Sequence, residues 1–324
     1  MHPFTLLKAK NAGEAINAVT NSAQFIGGGT NILDLMKMNV VMPSVLIDIS
    51  AIDFKKIEML PNGNILVGAL VSNSDLAYDK IIAKNYPLLS QALLSGASPQ
   101  LRNMATLGGN LLQRTRCPYF FDTVTPCNKR VPDSGCAAIN GYNRMNAILG
   151  TSSQCIATHP SDMCVALAAL DAIIHVQGAK EKRTIAFADF YTLPGNTPNI
   201  ENTLQTGELI THVEIPALPV ASNSCYIKVR DRHSYEFAVV SAAVAMEKSG
   251  GAIKQVRIAL GGVGTKPWRA TMAEQFLTGK IYSKQLISDA ADIALHDAKT
   301  FTYNAFKPAL AKRTIIKAFQ NLEN

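Results

Sequence analysis

The sequence predicts an α+β chain in successive parts, ending in a small C-terminal α+β domain. Three observations carry this. Short strand and helix patterns alternate from the N-terminus to about residue 218. Pro216-Ala-Leu-Pro219 then reads as a joint, followed by three strand patterns and a helical tail. The chain has 324 residues, 48% of them hydrophobic, too many for one ordinary core and enough for two or three domains.

In order, Phe4–Leu7 is strand-like, and Asn11-Ala-Gly-Glu14 is a capping-box pattern that opens a helix to about Val19. Gln24–Ile26 reads as a short strand running into Gly27-Gly-Gly-Thr-Asn31. Ile32–Met38 reads as a short helix and Val45–Ile49 as a buried strand, which completes a βαβαβ unit over 1–55. A second unit spans 56–218. Lys56–Met59 and Asn64–Gly68 form a hairpin about Pro61-Asn-Gly63, and helices are expected at about 75–83 and 87–94. Between about 111 and 158 the periodicity fails. A helix resumes at Ser161-Asp-Met163, and strands are expected near 172–176, 183–185 and 209–215. The third unit, 219–324, holds strands at 225–229, 238–246 and 253–260, with helices from about 271. Alanines make 238–246 look helical, but its valines and the following Ser249-Gly-Gly251 turn favour a strand.

Charge narrows the function classes. The formal charge is +7, from 31 basic and 24 acidic residues. The basic residues are thinly spread, with no polybasic run and a single Trp, so nucleic acid is not an expected partner. No apolar run is long enough to span a bilayer, and the N-terminus lacks the basic and apolar regions of a signal peptide. Only 17% of residues are charged, which suggests that part of the surface faces partner proteins.

Two glycine loops are candidates for binding an anion. In Gly27-Gly-Gly-Thr-Asn31, between strand and helix, glycines let backbone N–H groups approach a phosphate. It is neither the spaced dinucleotide fingerprint nor a P-loop. Thr106-Leu-Gly-Gly-Asn110 has similar chemistry, and two such loops suit a pyrophosphate gripped from two sides. Each also reads as a plain tight turn.

Cysteines are concentrated. Cys117, Cys127, Cys136 and Cys155 lie within 39 residues, at spacings of 10, 9 and 19, and Cys164 and Cys225 stand apart in apolar patterns. No paired zinc knuckle is present. Spacing alone leaves an iron–sulfur cluster, disulfides and free thiols open. Pro118, Tyr119, Phe120 and Phe121 beside the first thiol would shield a cluster from water, or fill any loop core.

Phe25-Ile-Gly-Gly-Gly-Thr-Asn31, Thr106-Leu-Gly-Gly-Asn110 and Ser161-Asp-Met163, with Lys228-Val-Arg230, Leu260-Gly-Gly-Val263 and Lys266-Pro-Trp-Arg269, resemble the FAD-binding medium subunit of the molybdenum hydroxylases. The resemblance covers nearly the whole chain. It implies a two-part FAD-binding domain of the vanillyl-alcohol-oxidase-like (PCMH) type, then the small α+β domain. It also implies FAD contacts from Ile26, Gly27, Gly28, Gly29, Thr30, Asn31, Thr106, Gly108, Gly109 and Asn110. Asp162 would meet the adenosine ribose and Lys228 would lie near the isoalloxazine. Asp162 also reads as a helix cap and Lys228 as a solvated strand end.

In most of that family the Gly-Gly-Asn and Ser-Asp motifs lie close together; here Asn110 and Asp162 are 52 positions apart. The interruption resembles a loop of bacterial periplasmic-type aldehyde oxidoreductases and of 4-hydroxybenzoyl-CoA reductases, which implies a 4Fe–4S cluster on Cys117, Cys127, Cys136 and Cys155. His159 reads as a turn residue. The resemblance implies an electron-transfer subunit with no catalytic acid or base of its own. Its partners would be a large subunit with molybdopterin, oxidising aldehyde to acid, and a small subunit with two 2Fe–2S clusters. The alternatives are a subunit of a 4-hydroxybenzoyl-CoA reductase-like enzyme, a free-standing flavoprotein oxidase, and a non-enzymatic protein stabilised by disulfides or zinc. The expected compartment is the cytoplasm, or the periplasm if a partner bears a twin-arginine signal.

Overall fold

The computed structural model describes residues 1–323, and its strands form three sheets. The first is parallel, with spatial order Thr5–Lys8, Val45–Asp48, Ala23–Ile26. Parallel neighbours need crossovers, which the helices Ala12–Asn17 and Ile32–Lys37 supply. Asn11 caps the first of these, accepting from the Glu14 N–H at 2.9 Å. Glu14 reaches back one residue further than an ideal capping box, to the Lys10 N–H. Ala15, Ile16 and Ile47 are buried beneath this sheet with Ile52 and Leu70.

The second sheet is antiparallel, in the order Ile57–Met59, Ile65–Gly68, Leu209–Ile215, Ile173–Gln177, Lys182–Ala186. The helices Asn73–Tyr78, Lys80–Asn85, Pro87–Ser95, Pro99–Met104 and Leu107–Leu111 follow its first hairpin. The helix expected at 75–83 is therefore two. Asp79 ends the first and caps the second, accepting from the N–H groups of Ile81 and Ile82 at 2.9 and 3.0 Å. A side chain that offers its own acceptor to the backbone competes with helix continuation. The helix Asp162–Ala169 is buried along its whole length and forms the centre of this core.

The third sheet runs Trp268–Arg269, Ala252–Gly261, Val240–Ser249, Ser224–Val229, all antiparallel. Its central hairpin turns at Gly250 and Gly251, both at positive φ (57° and 81°), as a primed hairpin turn requires. The alanine-rich segment is a strand because both its faces are covered. Ala243 and Ala245 pack into the middle core. Ala242, Val244 and Met246 pack beneath the helices Thr271–Leu277, Lys284–Ala294 and Lys307–Asn321. The small side chains let the two layers approach, and period-two alternation survives only as which core each residue joins.

The irregular segment is anchored. It holds two single-turn helices, Pro118–Phe121 and Ala137–Asn140. Its far end joins the C-terminal core, where Ile148 and Leu149 are buried and their N–H groups donate to the Val263 carbonyl at 2.8 and 2.9 Å.

Candidate functional site

The two glycine loops meet. A Cβ at Gly27 would lie 3.2 Å from Thr106 Oγ1, and one at Gly28 would lie 1.7 Å from the Met104 carbonyl oxygen, so only glycine allows the backbones this close. Thr106 caps the helix Leu107–Leu111, accepting from the Gly109 N–H at 3.1 Å. Gly108 faces inward, its N–H donating to the Ala69 carbonyl at 2.8 Å. Asn31 Oδ1 accepts from the Arg114 N–H at 3.1 Å, which ties the first loop to the residues after the second.

The motifs on either side of the irregular segment also meet. Ser161 Oγ donates to Asn110 Oδ1 at 2.7 Å, and the same hydroxyl accepts the Cys164 N–H at 3.1 Å to cap the helix Asp162–Ala169. Asp162 is therefore not the cap, and its carboxylate is free to point elsewhere. Asp162 Oδ2 accepts from Lys228 Nζ at 2.8 Å and Oδ1 from the Tyr226 hydroxyl at 2.5 Å. Lys228 Nζ also donates to the Ser95 carbonyl at 3.2 Å. Tyr226 and Lys228 share a face of the strand Ser224–Val229, two residues apart. The pair is buried, with side chains 3% (Lys228) and 9% (Asp162) exposed. Burial drives the Tyr226 hydroxyl well above the ordinary tyrosine range, so it stays a donor to the carboxylate. The family pattern assigns Asp162 and Lys228 to different parts of a ligand; in the structure they form a single polar corner.

These parts surround a cavity of about 460 Å³, within the range of small-molecule sites. Thr30, Asn31, Gly109, Asn110, Asp162 and Lys228 line it. Ile26, Gly27, Gly28, Gly29, Thr106 and Gly108 do not; they build the junction behind it. Arg232, Tyr235, Glu236 and Phe237 close one side. Four buried polar atoms on lining residues have no protein partner: Asn31 Nδ2, Asn73 Oδ1, Arg102 Nε and Arg116 Nε. Each leaves an unmet demand of about 1–3 kcal/mol. Three donors and one acceptor around a roomy cavity suit a large ligand rich in acceptors with a few donors, as a flavin dinucleotide is. Asn73, Arg102, Arg116 and Tyr226 are functional candidates to which the sequence reading gave no role: Arg116 stands in the string Gln113–Asp122 beside the first cysteine, and the other three are lone polar residues outside any motif.

Cys117, Cys127, Cys136 and Cys155 are gathered. Cys127 and Cys136 pair across an isolated antiparallel bridge. Cys117 lies close enough to Cys127, and Cys155 to both Cys136 and Cys117, for their charges to interact. None of the six cysteines is in a disulfide. Among the described residues no three His, Cys, Asp or Glu side chains close on a point as ligands of a metal ion. Burial pushes the Cys155 thiol up to about 12 and raises Cys117, so metal binding here would release protons. Cys164 meets the Tyr191 hydroxyl at 3.1 Å, and Cys225 donates to the Ala318 carbonyl; both are core residues. His159 is partly buried and pushed down to about 3 by that burial, hence neutral, with Nδ1 accepting from the Ser161 N–H.

An ion triad clamps this segment. Glu201 accepts from Arg114 at 3.1 Å and Lys129 at 3.0 Å. Burial works to raise Glu201, but the two cations outweigh it and hold the carboxyl below its ordinary range. Arg116 lies on the cavity wall and also lines a smaller void, of about 50 Å³, that reaches Cys117. By contrast Lys266 and Arg269 serve structure. Lys266 donates to the Ala188 and Tyr191 carbonyls, and Arg269 pairs with Asp171 and Glu274.

Comparison with known proteins accounts for this layout. Residues 2–218 match the family described as "FAD binding domain in molybdopterin dehydrogenase", and residues 225–322 match "CO dehydrogenase flavoprotein C-terminal domain". The chain is 47% identical to the aldehyde oxidoreductase FAD-binding subunit PaoB of Escherichia coli, over 97% of this chain and 96% of that one. It is 26% identical to the glyceraldehyde dehydrogenase medium chain of Sulfolobus acidocaldarius, over 90% and 87%. In fold it resembles a chain of the carbon monoxide dehydrogenase of Hydrogenophaga pseudoflava, with a TM-score of 0.76 over 98% and 96% of the two chains at 24% identity. The chain belongs to the FAD-binding medium-subunit family of the molybdenum hydroxylases.

Proposed function

Taking that membership as the premise, we propose that this chain is the FAD- and 4Fe–4S-bearing electron-transfer subunit of an aldehyde-oxidising complex. Its partners would be a large subunit with molybdopterin and a small subunit with 2Fe–2S clusters. The aldehyde assignment is supported by the 47% identity to an aldehyde oxidoreductase subunit. The observation that carries the electron-transfer reading is adjacency. A cavity with four unmet polar atoms shares Arg116 with the void that reaches the first of four gathered thiols.

FAD, when bound, supplies two-electron chemistry, and the cluster supplies one-electron chemistry. The residues of this chain bind, orient and shield. Thr30, Asn31, Gly109 and Asn110 line the side built by the two glycine loops, where close backbones suit a pyrophosphate. Asp162 and Lys228 offer an acceptor and a donor whose charges already offset each other. Phe237 and Tyr235 limit water on the open side. No group here is placed to move a proton on an aldehyde.

The family descriptions name a flavin and no iron–sulfur group, so the cluster reading rests on this chain's own residues. A cubane spreads its thiolates over four irons, farther apart than one ion does, which suits thiols that are neighbours without meeting at a point. Arg114, Arg116, Lys129 and Arg130 supply cations around it.

The test is the absorption spectrum and iron content of the purified chain. Flavin bands with a broad charge-transfer shoulder and four irons per chain are expected. In Cys117→Ser the iron should fall while the flavin stays. Flavin without iron would remove the cluster from the proposal; a colourless protein would overturn all of it.

A further inference from the structure

Cys117 differs from the other clustered thiols in how its sulfur is held. A side-chain amide is aimed at it: Asn146 Nδ2 donates to Cys117 Sγ at 3.6 Å. Cys155 receives instead a local backbone donor, the Ala157 N–H at 3.4 Å. The Asn146 amide is itself fixed. It is buried, and Nδ2 also donates to the Ile156 carbonyl at 3.3 Å. The backbone carbonyl of Asn146 accepts from Lys307 Nζ at 2.9 Å and from Asn304 Nδ2 at 3.3 Å. Lys307 is fully buried at the start of the last helix. It has no carboxylate partner among the described residues and spends its other bond on the Gly262 carbonyl at 2.6 Å. A buried lysine that pairs with no acid is costly unless its hydrogen bonds hold something in place. What it holds is the peptide that aims Asn146 at Cys117. Cys117 is also the clustered thiol that shares a void with Arg116, Ser161 and Asp162, beside the flavin cavity.

We propose that Cys117 is the ligand through which cluster and flavin exchange an electron, and that Asn146, held by Lys307, is the positioning residue that favours it. N–H groups aimed at a ligating sulfur stabilise added negative charge and raise the reduction potential. With the Asn146 amide on its thiolate, Cys117 would favour added negative charge on its side of a bound cluster. The step moves one electron between cluster and flavin, and no bond is made or broken. This rests on the cluster reading above.

The experiment uses the full chain. Iron is counted first, and the cluster midpoint is then followed by an EPR-monitored titration in Asn146→Leu and Asn146→Asp. The midpoint should fall in Asn146→Leu, which removes the donor, and fall further in Asn146→Asp, which places an acceptor there. Electron transfer between flavin and cluster should change with it. A loss of packing alone would not produce that order. Where Asn146→Leu fails to assemble, Lys307→Met is read instead, and the midpoint should again fall. A wild-type chain without four irons would overturn the cluster reading, and this inference with it. Four irons with midpoints unmoved in the variants would overturn this inference alone.

Discussion

The junction of the two glycine loops gives the most direct test of the cavity. At Gly28 a methyl group would stand 1.7 Å from the Met104 carbonyl oxygen, where about 3.0 Å is the closest that real side chains come. Gly28→Ala must therefore push the two backbones apart by at least 1.3 Å (3.0 − 1.7). Neither side can yield by turning a side chain. Met104 ends the helix Pro99–Met104, and the next residue is held at both its N–H and its carbonyl, by Leu101 and Asn73. The displacement carries the Thr30–Asn31 side of the cavity away from Gly109 and Asn110. If two charge-assisted hydrogen bonds to a pyrophosphate are lost, at about 1.5–3 kcal/mol each, the flavin binds some 10²–10⁴-fold more weakly. The assay is flavin titration of deflavinated chain, with the flavin-to-protein ratio as isolated. Gly13→Ala is the control, since its methyl meets only the Asn11 side chain, at 3.3 Å. Circular dichroism should match in both variants. A Gly28→Ala chain with full flavin and a Kd within about twofold of wild type would refute the reasoning.

Three further outcomes follow from other parts of the molecule. Asp162→Leu should destabilise by about 3–5 kcal/mol because it strands the buried Lys228 ammonium. Adding Lys228→Met should recover much of the Tm but not the flavin; equal losses in the single and double variants would contradict the pair. Burial without an acid partner pushes Lys307 down to about 7, so the folded form sheds that proton near neutrality while the unfolded form keeps it to about 10.4. Stability should then rise with pH across that window by up to about 1.4 kcal/mol per unit, and Lys307→Met should be flatter by that amount in urea midpoints at pH 7, 8 and 9; parallel profiles would refute it. Glu201, held below the ordinary carboxylate range, contributes its clamp above that range and loses it as pH falls through its folded pKa. Glu201→Gln should lower the iron-to-flavin ratio at neutral pH, as acid should in the wild type; an unchanged ratio would show that the triad does not hold the cysteine segment.

Much of the fold was legible because local signals agreed with it. The N-cap at Asn11, the Pro61-Asn-Gly63 turn and the Gly250-Gly251 turn each name a backbone geometry that the structure adopts. The alanine-rich strand was legible only through its valines and its turn, since burial on both faces removes the polar half of the alternation. The helix expected at 75–83 was misread because Asp79 looks like any surface acid until its carboxylate takes two backbone N–H groups. The short helices Pro99–Met104 and Leu107–Leu111 were missed because so few residues carry no period. In the candidate site, motifs marked the loops. Nothing in them reveals that Asp162 and Lys228 pair, or that Asn73 and Arg116 keep unmet polar atoms at the cavity, because those facts exist only once distant segments are side by side.

The long interruption between Asn110 and Ser161 looks disruptive in sequence and is not so in space. Its two ends are joined by one hydrogen bond of 2.7 Å, so the FAD-family motifs on either side stay together whatever lies between. Loop-closure entropy grows only as the logarithm of length, about 0.6 kcal/mol per doubling, so some fifty extra residues cost little beyond a short turn. A free loop of that size would nevertheless hold no fixed site. This one is fixed at three further places, through Glu201 to the connection between the second sheet's strands Lys182–Ala186 and Leu209–Ile215, through Val263 to the third sheet, and through Lys307 to the last helix. Those anchors lie outside the segment, so the thiols owe their positions to the FAD-binding part and the C-terminal domain together. A site placed in this way is as rigid as the domains that hold it, as the proposed transfer to a flavin would require. It also follows that the segment, cut out alone, would not keep its four cysteines as neighbours.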